Sequence, residues 1–195
     1  MREEEINEKL KEEKISRAER ARQLISSKYL EQEKTYVDDF LKIMQELLCE
    51  FLSSQKNNEG RKLKYIQVKC LRTSVVDESY RYNICLRDEK GYKDTCIIER
   101  YYTPLYIKPL IEEDKFYFEK EIMKRIIRAK KYDVKDFLRP YIWDTYMKPI
   151  PSEIEENIIN IGKIDVYQKI LKSEEVIVSY GELLEKYDKH WIFTN

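Results

Sequence analysis

The pattern that most limits how this chain can fold lies in residues 63–102, where strand-like alternation recurs three times with turn signals between. In residues 63–71, Ile66, Val68 and Cys70 alternate with Gln67 and Lys69, the period of two of a half-buried strand. In residues 79–87, Tyr80, Tyr82, Ile84 and Leu86 fall on one face and Arg81, Asn83, Cys85 and Arg87 on the other. Gly91 can take the left-handed backbone that a three-residue hairpin loop after Asp88 requires. Residues 92–102 then supply a third strand, closed by Pro104, which has no amide hydrogen for a ladder. If Asp88 pairs with Tyr92, Ile84 stands opposite Cys96 and Tyr82 opposite Ile98, keeping both apolar rows on one face. The expectation is an α+β fold: a three-stranded antiparallel β-meander packed against helices.

The rest of the chain reads as mostly helical. No Gly or Pro occurs before Gly60, and Glu5/Lys9 and Glu13/Arg17 are spaced as one-turn ion pairs, so residues 1–34 form a long charged helical arm. Its apolar stripe is thin: Ile6, Leu10, Ile15, Leu24 and Ile25. Thr35 and Asp38 resemble a capping box, and Val37, Phe40, Leu41, Met44, Leu47, Leu48, Phe51 and Leu52 form the wide face of the best core helix. After the sheet, Glu112, Glu113 and Asp114 open a helix whose end is basic, an order that complements the helix dipole. Pro140 is expected to break or kink the next helix, ahead of an aromatic run containing Tyr141, Trp143 and Tyr146. Ser152 and Glu155 form a capping box, and so do Ser179 and Glu182 before a last helix; Val176 to Val178 is a short strand, and residues 190–195 return as an edge strand. The organisation expected is therefore an arm over 1–34, an α+β core over 35–147 and a mostly helical C-terminal extension over 148–195.

Composition excludes several function classes. Thirty-seven basic and thirty-seven acidic residues cancel, so no global field draws the chain to polyanions or membranes. Three alanines among abundant Lys, Ile, Glu and Tyr are the bias of an AT-rich, low-GC bacterial genome or one of its mobile elements. Four glycines form no phosphate-binding loop. Cys49, Cys70, Cys85 and Cys96 show no Cys-x-x-Cys spacing and His190 is the single histidine, so neither an ordinary zinc site nor a His-based triad is assigned. No apolar run reaches membrane-spanning length, and the charged start lacks a signal-peptide core; a cytoplasmic location is expected.

Three readings compete. A non-enzymatic protein-binding accessory, adaptor or inhibitor explains the thin-striped arm, the aromatic segment and the apolar C-terminus, with Ile6, Leu10, Leu24, Tyr141, Trp143, Trp191 and Phe193 as contact residues. Its partner is another protein or a second copy docked through the N-terminal helix. A nucleic-acid-binding protein would use basic residues interleaved with tyrosines: Arg61, Lys62, Lys64, Lys124, Arg125, Arg128 and Lys131. A metal-dependent nuclease-like enzyme would need converging carboxylates, for which Asp77, Glu78, Asp94 and Glu46 or Glu50 are the candidates. No catalytic, cofactor or metal-binding residue is assigned.

Overall fold

The computed structural model describes residues 2–57, 60–93, 97–126, 129–182 and 189–194. In chain order the elements are α1 (Arg2–Lys9), α2 (Lys11–Glu31), α3 (Glu33–Asn57), β1 (Leu63–Cys70), α4 (Arg72–Val76), β2 (Tyr82–Asp88), β3 (Ile98–Tyr102), α5 (Ile107–Arg125), α6 (Lys131–Ile142), α7 (Ser152–Glu155), α8 (Asp165–Lys169), β4 (Lys172–Glu182) and β5 (Lys189–Thr194). Two compact units divide them. Unit 1 holds residues 1–32, 72–80 and 104–149; unit 2 holds 33–71, 81–103 and 150–195. Each unit is assembled from three separate stretches of chain.

Unit 2 is built on a five-stranded mixed sheet with strand order β3-β2-β1-β4-β5. The expected three-stranded meander is thus corrected. β1, β2 and β3 are antiparallel neighbours, but β4 adds to β1 in parallel, and β5 closes the far edge antiparallel to β4. Ser179–Glu182, the expected start of a last helix, lie in β4 instead, because Val176, Val178 and Tyr180 continue the alternation into the buried face; the rest of that expected helix, residues 183–188, lies outside the described residues. The β2/β3 register also differs: Ile84 faces Arg100 and Tyr82 faces Tyr102. A short 3₁₀ turn at Gly91–Lys93, with Gly91 at φ 58°, replaces the tight hairpin and shortens β3. Cys96 lies outside the described residues.

One sheet face carries Ile66, Val68, Cys70, Tyr82, Ile84, Leu86, Val176, Val178 and Tyr180, all buried. α3 packs toward this core with Phe40, Met44, Leu47, Leu48 and Phe51, as its spacing predicts. Gln55 fastens the helix end: its amide nitrogen donates to the carbonyls of Arg61 and Leu171 at 2.8 Å each, and its oxygen accepts from Leu171 N at 3.1 Å. Beneath the sheet, the Tyr102 hydroxyl donates to fully buried Glu153 at 2.6 Å, and Cys70 Sγ donates to the Tyr180 hydroxyl at 3.0 Å.

Unit 1 is helical. Ile6 and Leu10 are fully buried, and backbone bonds from Leu10 N to Ile6 O and from Lys14 N to Leu10 O carry the path almost continuously from α1 into α2. The start of the thin stripe, Ile6 and Leu10, is therefore used inside unit 1, where α1 meets α6 and α2 meets α5, whereas Ile15 is exposed. The buried carboxylate of Asp114 gathers these elements. It accepts from Arg17 Nε at 2.5 Å, from the Tyr146 hydroxyl at 2.7 Å and from the Tyr141 hydroxyl. Phe118 packs edge-on against Phe137 and Tyr141 at 5.1 and 4.8 Å. Pro140 does not break α6; the helix runs to Ile142 and then widens into a π-helical turn over Trp143–Met147, which places Tyr146 on Asp114.

Two predictions follow from these buried groups. Asp114→Ala leaves two buried hydroxyls without their acceptor and removes one of the two carboxylates on Arg17, and is expected to cost about 3–5 kcal/mol in urea unfolding, against about 1.5–3 kcal/mol for Tyr146→Phe. Equal, sub-kilocalorie effects of both would show that Asp114 is not the organising group. Burial also raises the pKa of Tyr82, Tyr141, Tyr146, Tyr167 and Tyr180 above the usual 10.0, that of Tyr167 to about 12. Because the folded values lie above the unfolded one, this stabilisation is complete below pH 10 and is lost as pH rises beyond it. Absorbance titration at 295 nm should show these five, and Tyr80, whose pKa burial also raises, lagging behind the other tyrosines until the fold opens; one transition of all sixteen near pH 10 with the fold intact would contradict the burial.

Candidate functional site

In unit 1, α6 presents two rows to a single groove. Lys131, Lys135 and Arg139 recur every four residues, and Val134, Leu138 and Ile142 recur beside them at the same spacing. Both rows border a cavity of about 310 Å³ whose opposite wall is Val75, Val76 and Tyr80. A second cavity of about 370 Å³ shares Val75, Val76 and Arg139 and extends the groove to Trp143 and Lys148. Val76 is 59% exposed, so the wall is aliphatic and open. Arg72 lies over the Trp143 ring at 5.0 Å and covers its end.

The wall opposite α6 is shaped by unusual backbone. After α4, Asp77 Oδ1 accepts from Ser79 N at 3.0 Å and from Ser79 Oγ at 2.6 Å, while Tyr80 N donates to Ser74 O at 3.0 Å. This tight return holds Glu78 at φ 58° and Tyr80 at φ 50°, a left-handed conformation that costs non-glycine residues about 1–3 kcal/mol. It turns the Tyr80 ring into the groove floor, where the hydroxyl is buried without a well-formed hydrogen bond. Burial raises its pKa, partly opposed by the field of Lys115.

Six cations line the joined groove: Arg72, Lys115, Lys131, Lys135, Arg139 and Lys148. Three acids accompany them: Glu78, Glu119 and Asp144. Lys115 is committed, donating to Glu78 at 2.7 Å and Glu112 at 3.1 Å. Burial pulls its pKa down, but those two bonds outweigh burial and raise it, while Lys115 holds the Glu78 carboxyl below its usual value. Arg139 meets Asp136 at 3.4 Å. Lys131 and Lys135 have no ion-pair partner among the described residues.

The residues singled out from sequence are scattered by comparison. Ile6, Leu10, Tyr141 and Trp143 are buried in unit 1 and Leu24 is half-buried, so these residues serve packing. Trp191 and Phe193 are half-buried on β5, Phe193 against Tyr167 at 6.2 Å. Among the basic residues, Arg61 is buried over Phe51 at 4.4 Å with Asp88 at 3.7 Å, and Arg125 is paired with Glu13 and Glu121. Lys62 and Lys124 are exposed, Lys64 is half-buried and Arg128 lies outside the described residues. Of the described members of that set, Lys131 alone lines the groove. Lys135, Arg139, Val75 and Tyr80 completed the site; the repeat of cations at 131, 135 and 139 was the available signal, hidden by reading the region as one basic cluster.

Of the acids named for a metal site, Glu46 is exposed and three others have other uses. Asp77 holds Ser79, Glu78 holds Lys115, Glu50 meets Arg100, and Asp94 lies outside the described residues. Among the described residues no group of three or more His, Cys, Asp or Glu side chains is placed to hold a metal ion, and no helix is long and apolar enough to cross a membrane. No protein-family model, no curated protein sequence and no solved structure matches the chain.

Proposed function

We propose that this protein is a non-enzymatic protein-binding accessory, adaptor or inhibitor whose unit 1 captures an acidic, apolar-striped segment of its partner along α6. The observation that carries this reading is the pair of rows on α6, cations at 131, 135 and 139 beside aliphatic side chains at 134, 138 and 142, bordering one groove. Like charges four residues apart cost a helix a few tenths of a kcal/mol. The helix dipole favours Arg139 in the last turn but not Lys131, the first residue of α6, where a cation is disfavoured. Lys131 and Lys135 have no ion-pair partner among the described residues, and a ligand with acids at matching spacing supplies one. Its apolar residues would meet the aliphatic wall at Val75 and Val76.

A nucleic acid would meet the same cations, but the open wall is aliphatic, whereas single-stranded nucleic acid is gripped by stacked aromatics. Fluorescence anisotropy with a labelled helical peptide carrying Glu and Leu at four-residue spacing tests the choice. Saturable, salt-weakened binding is expected, falling at least about tenfold, or about 1.4 kcal/mol, in Lys131→Glu/Lys135→Glu, with the thermal midpoint held. Undiminished binding by the double variant removes the groove from the proposal. Preference for an oligonucleotide of equal charge over the peptide replaces it with nucleic-acid binding.

A further inference from the structure

We infer that unit 2 carries a separate small-molecule site, a cavity on the second face of its sheet that takes an oxygen-rich anion on an apolar body, a carboxylate- or phosphate-bearing metabolite. The inference does not use the α6 groove. It starts from a mismatch in the strands. A sheet face covered by packing is apolar, and one facing water is polar and exposed. The second face here is neither. It carries Gln67, Lys69, Asn83, Cys85, Arg87 and Ser179, polar for the most part, yet all buried.

The register explains how these groups converge. Gln67 pairs with Cys85 on one side and Ser179 on the other, and Ser179 pairs with His190, so one row crosses β2, β1, β4 and β5. The next row places Arg87, Tyr65 and Ile177 side by side. Over the two rows lies a cavity of about 410 Å³, within the usual range for ligand pockets, bounded at one end by Glu89, Lys90 and Gly91. Arg87 Nη1 donates to the Gly91 carbonyl at 3.1 Å and so ties this rim to the floor.

The unmet hydrogen-bonding capacity points to the ligand. Ser179 is 2% exposed, and its hydroxyl has no partner among the described residues. Gln67 is 4% exposed; its oxygen accepts from Cys85 Sγ at 3.5 Å, and its amide nitrogen has no partner among them. Neither atom is sealed from the cavity, so both are open to whatever occupies it. Both donate, as do the Arg87 guanidinium and Lys90, while the one acid of the lining, Glu89, already accepts from Ser173 Oγ at 2.8 Å. A set rich in donors and cations suits anionic oxygens. Tyr65 and Ile177 offer an apolar surface for the body that carries them.

His190 lines this cavity and is the only histidine in the chain, so its ring protons report on the site in the unmodified protein. The full chain is titrated with inorganic phosphate, citrate and adenosine monophosphate, with sodium chloride at matched ionic strength as reference, at fixed pH by proton NMR. A saturable shift of the His190 signals with at least one of the three, absent with chloride, is expected. Phosphate and adenosine monophosphate acting without citrate assign a phosphate, citrate alone a carboxylate, and a mixed response the shared anion chemistry. Ser179→Ala should raise the midpoint at least threefold, and Arg87→Lys more. No shift beyond that of chloride overturns the proposal, as do unchanged midpoints in both variants. Should the variants fail to fold, the comparison of wild type against chloride decides it.

Discussion

The ladder between β1 and β4 is the contact on which unit 2 depends. It joins residues 63–70 to residues 172–182 in parallel, with Ile66 beside Val178 and Val68 beside Tyr180. Closing a loop of about a hundred residues costs about 4 kcal/mol of chain entropy. The cost is offset because the ladder makes β1 a central strand and removes the open edge that the meander β1-β2-β3 would otherwise present. Gln55 supports the ladder at its start, where one side chain holds the chain before both β1 and β4. The rest of the apolar face, and with it the seat for α3, follows from that register.

Each unit also encloses one carboxylate served by tyrosine. Asp114 in unit 1 accepts from Tyr141, Tyr146 and Arg17; Glu153 in unit 2 accepts from Tyr102. A buried acid is a poor source of net stability, because desolvation consumes much of what its partners return. It does restrict geometry. Asp114 can be satisfied only if α2, α5 and the π-helical turn after α6 arrive together, which makes the wide turn after Pro140 a packing requirement in unit 1.

What could be read from the residues followed the range of the interaction. α3 was legible because its period is local, and Phe40 to Phe51 are buried as their spacing requires. The existence of β1, β2 and a return of residues 190–195 as an edge strand was legible for the same reason. The parallel pairing was not, since nothing near Lys172 records that its partner is Leu63. The short stretch Ser179 to Glu182 satisfied a capping pattern and a strand pattern alike, and the ladder decided between them. The α6 groove needed both its own periodicity, which is local, and the left-handed turn at Glu78 and Tyr80, for which no glycine gave notice.

The balance of formal charge is compatible with both sites because electrostatics acts over short distances. At physiological ionic strength exposed charges more than about 8 Å apart are largely screened, so a total of zero says little about any one surface. What matters is which charges are already engaged. Along the α2/α5 seam, Arg17, Arg20 and Arg125 meet Glu113, Asp114, Glu13 and Glu121, which engages Arg125 of the basic end of α5 that sequence singled out. Those same acids are thereby withheld from α6, and Lys131 and Lys135 keep their charge on an aliphatic border. A basic cluster in sequence thus separates into a structural half and an available half. The division is drawn by ion pairs between residues about a hundred positions apart, which composition cannot register.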